Sequence, residues 1–97
     1  MRHEILLSPE AEKNFQRLHA HIRATVRDAL ETHLRFEPTK GSKSRIKRLR
    51  GMKRPQYRLR VDEVRVYYDV TELTVEVLAI VAKSQAQAWL EEKGEQA

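Results

Sequence analysis

Polar and apolar residues alternate in the middle of the chain, over residues 56–70 (QYRLRVDEVRVYYDV). This period of two predicts two half-buried strands joined by a turn at Asp62-Glu63. One face of the pair is apolar and carries Tyr57, Leu59, Val61, Val64, Val66, Tyr68 and Val70. The opposite face carries Arg58, Arg60, Arg65 and Tyr67.

The two-residue turn fixes which side chains face each other across this hairpin. It places Arg60 opposite Arg65 and Arg58 opposite Tyr67. Directly opposed like charges destabilise a sheet. We therefore expect an anionic group outside the sheet to compensate the arginine pair.

The N-terminal third of the chain has helical periodicity. Residues 2–7 predict a short strand, and Ser8-Pro9-Glu10 is typical of a helix start, with an N-cap, a proline at the first position and an acid in the first turn. Apolar residues then follow helical spacing, but one helix as far as Phe36 is too long for a small domain. We predict a break near His19-Ala20-His21, hence a helical hairpin that ends before Pro38.

The C-terminal half predicts further strands and one helix. Residues 45–51 (RIKRLRG) have strand character, and Thr74–Lys83 is apolar enough for a central strand covered on both faces.

Ser84 followed by Gln87 predicts a capping box at the start of the last helix. Gly94 marks the end of this helix, and Trp89 with Leu90 is expected to dock it. The polar tail, 93–97, is expected to fray.

The resulting order, β-α-α-β-β-β-β-α, predicts a single α+β domain over residues 1–97. An N-terminal strand and helical hairpin pack on a mostly antiparallel sheet of four to five strands, followed by a short C-terminal helix. We expect the helices on one side, so that the arginine face of the hairpin stays partly open.

Composition excludes several classes of protein. The absence of cysteine excludes disulfides and thiolate chemistry and suits a reducing cytoplasm. No apolar run approaches the roughly 18 residues of a membrane span. His19 and His21 diverge on a helix, and Asp69 and Glu76 show no visible pairing, so neither a metal site nor a two-carboxylate site is predicted.

The positive charge is concentrated in one segment. Residues 40–60 hold ten of the 19 lysines and arginines and no acid, whereas all 14 acids lie elsewhere. A local cationic surface favours phosphate as a partner. A solvated face or a dock for an acidic protein is the alternative. The predicted RNA-binding residues are Lys43, Arg45, Lys47, Arg48, Arg50, Lys53 and Arg54.

Three motifs together resemble the RelE/ParE superfamily of type II toxin–antitoxin toxins, most closely the RelE branch. They are 49-LRGM-52, 57-YRLRVDEVRVYYDV-70 and 75-VEVLAIVAKS-84, in this order within a chain of this length. The resemblance implies a RelE-like fold and a cytoplasmic toxin that enters the ribosomal A site and cleaves mRNA without a metal or cofactor. It also implies a cognate antitoxin, held in a toxin–antitoxin hetero-oligomer.

The resemblance also implies site residues. Arg58 and Arg60 fall where RelE has lysines, Arg65 falls on a matching arginine, and Tyr68 and Lys83 find like residues. The chain departs from RelE at Ser84, where RelE has an arginine, and at Leu90, where RelE has a tyrosine. The predicted catalytic residues are Arg58, Arg60, Arg65, Tyr67 and Lys83.

Cleavage by the RNA 2′-hydroxyl needs a base, cations around the phosphate and an acid. Arginine supplies the cations but not the base, because its pKa exceeds about 12. Lys83, Lys53 and Tyr67 remain as candidates for the base. Two other functions stay open: a ParE-like toxin that inhibits gyrase without nuclease activity, and an inactive RNA-binding relative.

Overall fold

A computed structural model describes residues 1–42 and 44–97 and confirms the predicted α+β class. The prediction that Lys43 binds RNA lies outside the described residues. The elements are β1 (Glu4–Leu7), α1 (Pro9–Arg17), α2 (Ala20–Ala29) with a π-helical extension (Leu30–Leu34), β2 (Ile46–Arg48), β3 (Met52–Arg54), β4 (Tyr57–Val61), β5 (Val64–Val70), β6 (Thr74–Ala82), α3 (Lys83–Lys93) and β7 (Glu95–Gln96).

Five strands form the main sheet in the order β1-β6-β5-β4-β2. Only the β1–β6 pair of this sheet is parallel, so it is mostly antiparallel as predicted. The β4–β5 register confirms the predicted hairpin, with Arg60 opposite Arg65 and Arg58 opposite Tyr67. Strands β3 and β7 form a separate two-stranded sheet.

The helical hairpin begins and breaks where the sequence predicts. The Ser8 hydroxyl accepts a hydrogen bond from the Ala11 amide (3.1 Å), which satisfies one of the free donors at the helix start. The break falls at Leu18 and His19, between α1 and α2. Both helices bury their apolar side chains, such as Phe15 and Val26, in one core with the apolar face of the sheet.

Tyr68 is the largest fully buried side chain of this core. Its ring stacks on Tyr57, with centroids 5.5 Å apart, and its hydroxyl donates a hydrogen bond to the Pro38 carbonyl (2.7 Å). The bond ties the segment after the helical hairpin to the middle of the sheet, and it gives the buried phenol the partner that burial requires.

The last helix does not share the side of the helical hairpin, so the prediction that the helices lie on one side is wrong for α3. Trp89 of α3 stacks on Tyr67, on the arginine face, with centroids 5.1 Å apart and planes 7° from parallel. Its indole N–H donates to the Glu10 carboxylate of α1 (2.7 Å). Trp89 therefore docks the helix as expected, but across the opposite face.

The start of α3 differs from prediction. The N-cap residue is Ala82 without a side-chain hydrogen bond, so the Ser84 cap is wrong. Strand β6 runs directly into α3, and the Lys83 amide donates to the Glu63 carbonyl (2.7 Å) instead.

The polar tail is also ordered rather than frayed. Strand β7 pairs with β3, and the Ala97 amide donates to the Gly51 carbonyl (2.9 Å). Gly94 ends α3 as predicted, and a side chain there would lie 2.5 Å from both the Leu90 carbonyl oxygen and the Met52 methyl. Glycine therefore permits the close approach of the tail to β3.

We expect Tyr68→Phe to lower the free energy of unfolding by about 1–3 kcal/mol, because it leaves the buried Pro38 carbonyl without its donor. Urea denaturation measures the change. Tyr57→Phe, on the partly exposed neighbouring ring, is the matched control and should stay within about 0.5 kcal/mol of wild type. Equal losses in the two variants would contradict the role given to the Tyr68 hydroxyl.

Candidate nucleic-acid interface

Two rows of side chains cross the sheet on the arginine face. Lys47, Arg58, Tyr67 and Ala79 are successive cross-strand partners, and Arg60, Arg65 and Val81 form the neighbouring row. Helix α3 covers the β5 and β6 end of these rows. The β2 and β4 end of the two rows is occupied by the side chains of Lys47, Arg58 and Arg60. We call this set of three, drawn from both rows, the cationic row.

Arg58 lies at the centre of the cationic row. It is half-buried, and its Nε is buried without a hydrogen-bond partner within the described part of the chain. Burial lowers the pKa of Arg58, and the charges of Arg65 and Arg60 lower it further, whereas Tyr67 opposes them. A guanidinium in this setting gains from any anion that reaches it.

Arg65 has a different environment from its partner Arg60. It is only 7% exposed, and its guanidinium donates to the backbone carbonyls of Asp62 (2.8 Å) and Val64 (3.0 Å). These bonds fasten the turn, where Asp62 takes a positive φ of 50°. The opposed arginines are therefore tolerated because Arg65 turns toward carbonyl dipoles while Arg60 stays in solvent, and no external anion is needed for Arg65.

The three candidate bases, Tyr67, Lys83 and Lys53, differ in burial and in position. Tyr67 is 2% exposed beneath Trp89, and burial raises its pKa although Arg58 and Arg65 act against the rise. Lys83 is exposed at the first position of α3, beside the hairpin turn. Lys53 is exposed on β3, in the separate small sheet. Lys83 is thus the accessible candidate that adjoins the arginine hairpin.

The described basic residues of segment 40–60 are spread over several parts of the surface. Arg48 lies on the helix side of the sheet, with its guanidinium 5.3 Å from the Tyr57 ring centroid. Arg45 lines a cavity with His33, whose pKa is lowered by burial and then by the charge of Arg45. Arg50 lies beside α3 with Lys47. Among the predicted RNA-binding residues that the structure describes, Lys47 alone belongs to the cationic row.

Arg54 is occupied by an ion-pair network that the sequence did not reveal. Its guanidinium contacts the carboxylates of Asp69 (3.0 Å) and Glu76 (2.8 Å), which face each other across β5 and β6. The residue pattern alone did not show that Asp69 and Glu76 are cross-strand partners. A bulge in β6 shifts the register by one residue beyond Tyr67 and brings Glu76 opposite Asp69, which an even strand pairing does not.

Asp69 is a mostly buried carboxylate within this network. Its second oxygen accepts a hydrogen bond from the backbone N–H of Gln56 (2.8 Å). Burial raises the pKa of Asp69, and the Gln56 and Arg54 contacts only partly offset the rise.

No group of three metal-ligating side chains occurs among the residues that the structure describes. No described helix is long and apolar enough to cross a membrane.

The domain thus carries a helical hairpin on one sheet face and cations on the other. The chain belongs to the ParE toxin family of type II toxin–antitoxin systems (parDE), whose model matches residues 5–87. The predicted membership of the RelE/ParE superfamily is thereby confirmed. No curated protein matches the sequence.

Solved structures share the fold at low identity. The Mycobacterium tuberculosis RelBE2 toxin–antitoxin complex matches with a TM-score of 0.69 and 20% identity, covering 84% of this chain and 99% of the other. A free double mutant of Escherichia coli RelE gives 0.69 and 21%, covering 94% of each chain. The Pyrococcus horikoshii RelE–RelB complex gives 0.65 and 23%, covering 88% and 99%. At these identities the likeness establishes the fold alone.

We expect Arg65→Ala to lower the free energy of unfolding by about 1–3 kcal/mol, because it removes both hydrogen bonds to the hairpin turn. Arg60→Ala is the matched control on the directly opposite residue. It should stay within about 0.5 kcal/mol of wild type or stabilise slightly, since it relieves the like-charge contact. Chemical denaturation that ranks the two variants in the reverse order would refute the structural role of Arg65.

Asp69→Asn provides a pH-dependent test of the burial of the Asp69 carboxyl. Because the folded-state pKa of Asp69 is raised above 3.8, its contribution to stability is complete below that pH and declines as the pH rises through the folded-state value. The asparagine variant lacks this decline. The free energy of unfolding of the variant minus that of wild type should therefore increase between about pH 3 and about pH 7. Urea titrations that give a constant difference would contradict this assignment.

Proposed function

We propose that this toxin is a ribosome-dependent endoribonuclease that cleaves mRNA and stops translation. The observation that carries the proposal is the setting of Arg58 on the open part of the sheet, beside Lys47 and close to Arg60. Arg58 is half-buried, and its Nε has no hydrogen-bond partner among the residues that the structure describes. Such a group of donors matches the oxygens of an RNA phosphate. A protein that only docks on a protein partner has no evident need for it.

In this proposal Arg58 and Arg60 hold the scissile phosphate and stabilise the negative charge that accumulates on it. The ribosome places the mRNA 2′-hydroxyl in line with the phosphorus, which supplies much of the rate without a strong base. Lys83, exposed beside the hairpin turn, is the proposed proton carrier. Arg65 and Tyr67, both buried, are proposed to act as positioning residues.

The partners follow from the same charges. An antitoxin with an acidic segment would neutralise the cationic row and exclude RNA from it. The matched structures from M. tuberculosis and P. horikoshii are toxin–antitoxin complexes, which supports such a partner. We propose a toxin–antitoxin hetero-oligomer in the cytoplasm that releases the toxin to the ribosome.

Inhibition of DNA gyrase is the second candidate function. The family match to ParE toxins favours it, and so does the burial of Arg65 and Tyr67, which leaves fewer reactive groups exposed. In that case the cationic row would serve mainly as the surface that the antitoxin covers.

A translating bacterial extract distinguishes the two functions. We expect mapped mRNA 5′ ends to show cuts at A-site codons that require ribosomes. Arg58→Ala with Arg60→Ala should reduce cleavage about 100-fold or more, because both phosphate donors are lost. Lys13→Ala removes one exposed cation of α1, on the helical side of the sheet, and should cut like wild type.

Intact mRNA in this assay, together with inhibition of DNA supercoiling by purified gyrase, would replace the nuclease with the second candidate. Intact mRNA with unaffected gyrase would leave an RNA-binding relative that has no toxic enzyme activity.

A further inference from the structure

We infer that the cavity between α3 and strands β2, β3 and β7 is a base-binding subsite for single-stranded RNA. It would take one nucleobase of the strand whose phosphate lies on the cationic row. The inference rests on the proposed function, because it assumes that RNA reaches this face. Contacts in this cavity would let the protein prefer particular bases in the RNA, which phosphate contacts alone cannot do.

The cavity has the size and the walls of a small-ligand site. Its volume is about 380 Å³, at the lower end of the range of about 300–1,000 Å³ for such sites. Leu49, Met52 and Leu90 give it apolar walls, against which a planar base can pack. Its outline is held by the pairing of β7 with β3 and by the close approach of Gly94 to Met52.

Polar groups in the lining suit the edge of a base. The amides of Gln87 and Gln96 supply both donors and acceptors, the type of group that pairs with adenine edges. The Glu91 carboxylate, also in the lining, accepts hydrogen bonds from exocyclic amino groups such as that of cytosine.

Charge and position connect the cavity to the phosphate site. Lys47 lines the cavity and is also the direct cross-strand partner of Arg58, so the two sites share one side chain. Neighbouring strands lie about 4.8 Å apart, so the step from Arg58 to Lys47 is short. Arg50 adds a second cation to the lining. A strand held at Arg58 can therefore place the base of an adjoining nucleotide in the cavity while its backbone passes along Lys47.

An abasic scan tests this inference by binding rather than cleavage. Labelled RNA decamers, each with one abasic position, are titrated with the full-length protein at about 50 mM salt and followed by fluorescence anisotropy. Wild type should lose about 5-fold or more in affinity at one position, because one stacked base is removed. The other abasic positions should change the affinity by less.

Two exposed residues of α3 provide the variants. Gln87→Phe fills the cavity from the surface, whereas Gln85→Phe places the same ring on the same helix outside the lining. We expect Gln87→Phe to bind intact RNA more weakly and to be insensitive to the abasic position. Gln85→Phe should reproduce the wild-type profile.

The outcomes separate this inference from the proposed function. A flat abasic profile in wild type, or an unchanged profile in Gln87→Phe, would overturn the subsite even if the extract assay shows cleavage. Loss of antitoxin binding with unchanged RNA binding in Gln87→Phe would assign the cavity to a protein partner instead. A single sensitive position without cleavage would support the subsite while the nuclease proposal fails.

Discussion

The stack of Trp89 on Tyr67 determines what the arginine face can do. The helical hairpin covers one face of the sheet. On the other face, this one aromatic contact separates the part that α3 covers from the part that is open to solvent. The indole N–H also donates a hydrogen bond to Glu10 of α1. Trp89 therefore links α1, in the helical layer, with the opposite face of the sheet. Its position buries Tyr67 and leaves Arg58 and Arg60 at the boundary between helix and solvent.

The same boundary gives the arginines of the hairpin different roles. Arg65 is buried and satisfied by backbone carbonyls, Arg60 is solvated, and Arg58 has a buried donor without a partner in the described part of the chain. Only the last two can gain substantially from an anion. Opposed like charges in a strand pair are therefore not by themselves a sign of two ligand-binding residues, since one of them can be satisfied within its own turn.

Patterns of local origin made most of the fold predictable. The two-residue turn fixed the register of β4 and β5, and Ser8-Pro9 fixed the start of α1, because both depend on near neighbours. The side on which α3 packs, the pairing of the tail with β3 and the Arg54 network depend on contacts between distant segments. The network also depends on a bulge in β6, which no residue pattern predicts. The sequence therefore predicted the candidate site as a charged face. It did not predict which of the charged residues are buried, paired or open to a ligand.

We propose that Arg58 and Arg60 bind one RNA phosphate while α3 stays in place over Tyr67. A cryo-electron microscopy structure of the toxin on a translating ribosome, with a 2′-O-methylated A-site codon to block cleavage, tests it most directly. The account predicts both guanidinium groups at hydrogen-bond distance from one mRNA phosphate, with Trp89 still stacked on Tyr67. A toxin bound with the cationic row turned away from the mRNA, or with α3 displaced from the sheet, would contradict it.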